Sequence, residues 1–194
     1  MFRSSKKSEM GIGTLILFIA MILVAAIAAG VLIQTATNLQ SKALETGSRS
    51  TMQVSTALTT VLLYGEDGRD DGTISNAFQN VRIIPGSDVV NLDDISISVD
   101  LADMSQDLIY NESTPCNTSV ADGVFAAKYL KNGSEHVNGY VSVGDIVQLC
   151  YSLPRTIRED ETLRVSVVPK IGSVMTINVH TPPAIVTRRV FLFP

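Results

Sequence analysis

The chain has 194 residues, is 45% hydrophobic but only 6% aromatic, and carries a formal net charge of -4. That balance excludes a nucleic-acid binder, which needs Lys and Arg clustered on one face; the one basic cluster is Arg3, Lys6 and Lys7 at the N-terminus. Two His and two Cys leave little material for a catalytic or metal centre, and no phosphate loop, nucleophile elbow or zinc spacing is present.

The first element is a helix without a polar face. No residue from Met10 to Ser41 is charged, and Gly11 to Ile33 is apolar on every side. At about 1.5 Å per residue that run is about 35 Å long, enough to cross a hydrocarbon layer of about 30 Å. Leaving it in water would cost tens of kcal/mol, since each such side chain favours burial by roughly 1.5–3 kcal/mol. It must lie in lipid or against protein. The residues leave three readings open. One is a secretory signal, with Ala26-Ile27-Ala28 as a small-x-small cleavage site, although the run is long for an h-region of about 7–15 residues. Another is a permanent anchor with its basic end in the cytoplasm. The third is a helix held first in the membrane and later moved into a protein assembly.

Beyond Ile33 the sequence predicts that the helix continues to about residue 55. Gln34 to Tyr64 has no Pro and only one Gly, Gly47, while Leu39, Ala43, Leu44, Met52, Val54 and Leu58 keep one face partly apolar. Thr, Ser and Val then lower helix propensity.

From Lys6-Lys7-Ser8-Glu9-Met10-Gly11 through Ile33, the chain closely resembles the N-terminus of the archaellins, the archaeal flagellins of the type IV pilin-like superfamily. The strong likeness covers about the first 45 residues. A weaker one covers Thr181-Pro182-Pro183 and Val190-Phe191-Leu192-Phe193-Pro194. The resemblance implies a structural filament subunit for swimming motility, not an enzyme, with no cofactor. It implies a leader, residues 1–8, removed between Ser8 and Glu9 by a prepilin-type peptidase, with Lys6 and Lys7 just before the cut. Ser8 stands where the family usually has Gly. Gly13 stands where bacterial pilins usually carry Glu, which favours archaellin over pilin.

Loss of the leader would delete three positive charges and let the helix leave lipid for a bundle of identical helices. Gly11, Leu15, Phe18, Ile19, Ile22, Leu23, Ile27 and Leu32 would then form the polymer core. Gly30 with Ala25, Ala26, Ala28 and Ala29 would permit close helix approach. Implied partners are identical subunits, the membrane before assembly, the peptidase, and the motor and export machinery. The implied place is an extracellular filament, with the precursor in the cell membrane. The alternative is an archaeal pilin-like adhesion subunit sharing helix and leader. A secreted or singly anchored binding module is a further rival.

The whole reads as α+β: a long hydrophobic helix, then an all-β Ig-like sandwich. The expected divisions are 1–8, 9–64 and 65–194. Gly65 to Gly72, polar and Gly-punctuated, marks the expected junction. Asp94 to Leu101 alternates cleanly, with Ile95, Ile97, Val99 and Leu101 on one face. Further strands are expected over residues 80–84, 124–130, 145–151, 163–168, 174–179 and 185–192. About seven short strands with turns between them suit a sandwich.

Three N-x-S/T acceptors follow in this domain, at Asn111, Asn117 and Asn132; archaellin resemblance implies glycan on such sites. Cys116 and Cys150, an even pair in an exported chain, are expected to form a disulfide. Asp67, Asp70 and Asp71 could offer oxygen ligands to Ca²⁺, but they lack EF-hand spacing and read first as a solvated turn. His136 and His180 stand apart from any Cys or paired acid in sequence and read as surface or interface residues.

Overall fold

The computed structural model describes residues 6–66, 72–117 and 120–194, with the side chains of residues 6–9 left aside. The chain divides into two compact units, one through Arg49 and one from Ser50 to Pro194.

The first unit is helix. Helix α1 spans Lys6–Ser55, about 75 Å at the usual rise, and its last turn belongs to the second unit. No side chain from Met10 to Arg49 is buried. The helix is long and apolar enough to cross a membrane by length and composition. Several of its hydroxyls bond back to the helix itself: those of Thr14, Thr35, Thr37 and Ser41 donate to the carbonyls of Gly11, Leu32, Ile33 and Thr37 at 2.8–3.0 Å. A hydroxyl satisfied in this way costs little when the helix is surrounded by apolar material.

The second unit is a β domain. In chain order its strands are β1 (Leu58–Glu66), β2 (Ile74–Ile83), β3 (Val90–Asn91), β4 (Ile95–Asp100), β5 (Ser105–Tyr110), β6 (Val124–Lys131), β7 (Tyr140–Val141), β8 (Ile146–Ile157), β9 (Thr162–Pro169), β10 (Met175–His180) and β11 (Arg189–Phe193). Nine join one sheet in the order β10-β9-β4-β5-β6-β8-β2-β1-β11; β3 and β7 pair separately. The β5–β6 pairing is parallel, and the other paired strands are antiparallel.

The two edge strands, β10 and β11, approach each other, so the sheet curls over on itself. One core cluster draws on Ile97, Val165 and Val167 from one half and on Leu63, Val81 and Leu149 from the other. The facing layers of a sandwich are thus supplied by one folded sheet. Strand β4 shows the expected alternation, with Ile95, Ile97 and Val99 buried and the serines between them only partly so.

Polar groups inside this core are chained together. The Tyr151 hydroxyl donates to Gln79 Oε1 at 3.4 Å, and Gln79 Nε2 donates to Thr60 Oγ1 at 2.7 Å. Burial pushes the Tyr151 phenol well above its ordinary pKa.

The sequence divisions need correction at the helix end. Residues 58–64, grouped above with the helix, form most of β1. Thr59, Thr60 and Val61 are β-branched, and the segment pairs with β2 over Leu58↔Ile83 to Glu66↔Asn76; that pairing outweighs an absence of local breakers. Gly65 is therefore not a junction but part of β1, where a Cβ would collide with Ile74. The strand expected over 185–192 begins only at Arg189. Ile185 is buried in the preceding turn, its N–H donated to Glu159 Oε1 at 2.9 Å. Strands β1, β3, β5 and β7 were not anticipated.

Candidate functional site

The apolar helix offers the largest candidate surface. Leu15, Phe18, Ile19 and Ile22 follow the i, i+3, i+4, i+7 spacing of one face. Leu23, Ile27 and Leu32 turn away from that face, so the apolar surface wraps the helix. Even Ile19, among the more shielded of these residues, is 50% exposed. A shallow apolar notch lies between Leu17, Ala20, Met21, Val24, Ala25 and Ala28, where small side chains leave room for a neighbouring knob. Lys6, Lys7, Ser8 and Glu9 lie in the first turns of α1; their side chains and residues 1–5 fall outside the described part.

The three acceptor asparagines are all exposed. Asn111 follows β5 and its Oδ1 accepts the Ser113 N–H at 3.0 Å. Asn117 donates its N–H to the Pro115 carbonyl; Thr118 and Ser119 of its motif lie outside the described residues. Asn132 follows β6, beside Gly133, whose N–H donates to Asp145 Oδ1 at 2.6 Å. A Cβ on Gly133 would come within 2.5 Å of the Val143 carbonyl oxygen, so only glycine fits that close approach.

Asp145 organises this loop. Its carboxylate also accepts the Ser142 N–H at 2.9 Å, and His136 Nδ1 stands 3.4 Å away. Burial alone would raise its pKa, but the two backbone N–H donors and His136 hold it below the ordinary carboxylate value. Sequence separation hid this pairing: His136 and Asp145 are nine positions apart with no motif between them. His180 Nε2 lies 3.0 Å from the Thr162 hydroxyl.

Cys116 sits opposite Cys150, with Cα atoms 5.4 Å apart, inside the span a disulfide bridges. Cys150 is buried in a second apolar cluster on the sheet's other face, with Tyr64, Phe78, Val120 and Ala126. The rings of Tyr64 and Phe78 stack at 5.1 Å, and Arg189 lies over Tyr64 at 4.6 Å. Residues 111–117 and Val120 thus provide a flap over the sheet. No reading of the chain alone indicated this small core, since Val120 and Cys116 carry no strand pattern.

Asp67, Asp70 and Asp71 lie outside the described residues. Among the described residues, no group of three or more His, Cys, Asp or Glu is placed to hold a metal ion.

Helix and sheet together define a class: a β domain following a long helix that is apolar around its whole girth from Gly11 to Ile33. The family model for archaeal-type flagellin matches residues 8–179, and the chain belongs to that family. Flagellins are structural filament proteins rather than enzymes. Among relatives, flagellin B1 of Thermoplasma volcanium is 38% identical over 158 residues, covering 69% of this chain. The chain spans 64% of that relative's length. Flagellin B3 of Halobacterium salinarum is 33% identical over 183 residues, covering 93% of this chain and 91% of the relative. The archaeal flagellum structure of Methanospirillum hungatei shares the fold at a TM-score of 0.72 and 14% identity, covering 94% of this chain and 99% of that one.

Proposed function

We propose that the chain is a structural subunit of an archaeal flagellar filament, assembled by packing of its N-terminal helix against copies of itself. The observation that carries this is the long helix whose side chains from Met10 to Arg49 are all unburied within the chain. Burying that much apolar surface is favourable by far more than the ordering cost of one rigid rod. A lipid bilayer provides the first shelter and a bundle of like helices the second.

In this reading the chain is made as a membrane-held precursor. A prepilin-type peptidase cuts between Ser8 and Glu9, and export machinery passes the freed helix into the growing filament outside the cell. The divisions are then a leader (residues 1–8), a polymerising helix from Glu9 to Ser55, and an outer domain from Leu58 onward. The motor is another assembly. Asn111, Asn117 and Asn132 are glycan acceptors on the outer domain, and Cys116–Cys150 is a disulfide pinning the 111–117 flap to the sheet.

The test is mass spectrometry and N-terminal sequencing of purified surface filaments, imaged by electron microscopy. The expected result is this chain in motile filaments with Glu9 as its first residue. Recovery only in thin, non-rotating pili would move it to the adhesion class. A start near Ala29, or an intact Met1 on single molecules, would overturn assembly altogether.

A further inference from the structure

The β domain carries complementary features at its two ends. Strand β1 runs from Leu58 to Glu66, about 27 Å at the usual rise. At the Leu58 end the Thr56 carbonyl accepts the Ser173 N–H and the Ala57 carbonyl accepts the Ile84 N–H. The 84–91 and 170–173 segments are therefore gathered there. They enclose, with Met52 of the last helical turn, a mostly apolar groove of about 400 Å³. Val89 and Ile171 are among its walls and are 56% and 47% exposed. Thr56 also lines it; its hydroxyl is buried and has no hydrogen-bond partner among the described residues. Asp88 and Asp94 stand on the rim with Lys170, which pairs with Asp94 at 2.9 Å; exposed Asp93 adjoins them.

At the Glu66 end lies the opposite shape. Arg189 is the partner of Glu66 in the sheet, which places the turn before β11 at that pole. Val186 projects from this turn at 88% exposure, with the exposed Arg188 two residues on. An apolar knob with a cation thus faces away from an apolar groove with an acidic rim.

We propose that the groove receives the Val186–Arg188 turn of a second copy of the chain, Val186 seating against Val89 and Ile171 while Arg188 meets Asp88. The proposal rests on the filament reading and adds to the helix core a contact between outer domains. Because knob and groove are different surfaces at opposite poles, the contact is heterologous, the head-to-tail kind from which an open helical polymer is built. Two apolar surfaces that would otherwise meet water are covered at once. The charges fix register and orientation.

The test uses the full chain in its filaments. In a Val89→Cys, Val186→Cys double variant, mild oxidation should yield a ladder of covalently joined chains on a non-reducing gel, whereas neither single variant should. Filaments whose double variant stays monomeric, or a covalent dimer from Val89→Cys alone, would overturn the contact while leaving the filament reading intact. A chain never found in filaments would overturn both. A second series does not depend on the cysteines. Asp88→Arg or Arg188→Asp alone should lower filament yield about tenfold, and the two together should restore it. Single variants that assemble normally, or a double variant no better than the worse single one, would sink the proposal.

Discussion

The Ser87 hydroxyl clasps the chain at Ala57, accepting its N–H at 3.0 Å and donating to the neighbouring Ser55 carbonyl at 2.9 Å. The last carbonyls of a helix lack partners within it, and here one is supplied from a loop 32 residues away. Ser87 is 9% exposed, so water is a poor substitute. Replacing Ser87 with Ala should therefore destabilise the β domain by about 1–3 kcal/mol. Urea unfolding of the detergent-solubilised chain, followed by circular dichroism, measures this; an unchanged midpoint would show the clasp to be idle.

Assembly should be far more sensitive than folding to a charge on the helix. Ile19→Asp places a carboxylate within the apolar run, and an unpaired charge buried among like helices costs many kcal/mol. The expected outcome is a β domain that unfolds as before and no filaments by electron microscopy. Normal filaments from this variant would refute a buried helical core.

Reduction of the Cys116–Cys150 link, or Cys116→Ser, should lower β-domain stability by about 3–4 kcal/mol in the chain-entropy account, given a separation of 34 residues. The flap over Tyr64 and Phe78 should loosen first. Hydrogen exchange of residues 111–124, compared with and without reductant, reads the effect. Equal protection in both states would mean that the flap is held by packing alone.

Asp145 sets an acid limit. Its folded carboxyl titrates below its ordinary value, so the stability it confers is fully present above about pH 4 and lost as pH falls through the depressed folded value. Asp145→Asn should cost about 2 kcal/mol at neutral pH, and the gap from the unsubstituted chain should close in acid. Denaturant titrations between neutral pH and pH 2 give the comparison. A gap constant down to pH 2 would rule out the ionised clamp on Gly133 and Ser142.

Much of this architecture was legible in the residues. Helix α1 could be read because Met10 to Ser41 carries no charge and no Pro interrupts the chain before residue 55, so the long apolar run has no competing structure. Strand β4 could be read because Ile95, Ile97, Val99 and Leu101 alternate with polar residues, a period of two that one buried face imposes. Strand β1 could not. Leu58 to Tyr64 has no breaker before it, and its strand form comes from hydrogen bonds to β2, the next strand, and to β11, far along the chain. Strand β5 was missed for a similar reason: Ser105 to Tyr110 is too polar to signal a buried face and is held by β4 and β6 on its flanks.

The amino-acid order alone determined that one segment must escape water all round, because no arrangement of a single helix can hide Gly11 to Ile33 within itself. It also determined that the rest would form strands around a modest aliphatic core. Which distant groups meet was decided only by the folded sheet: Gln79 with Tyr151, His136 with Asp145, and a groove at one pole with a knob at the other. Those meetings depend on strand order and register, and register is a property of pairs of segments that no single segment encodes.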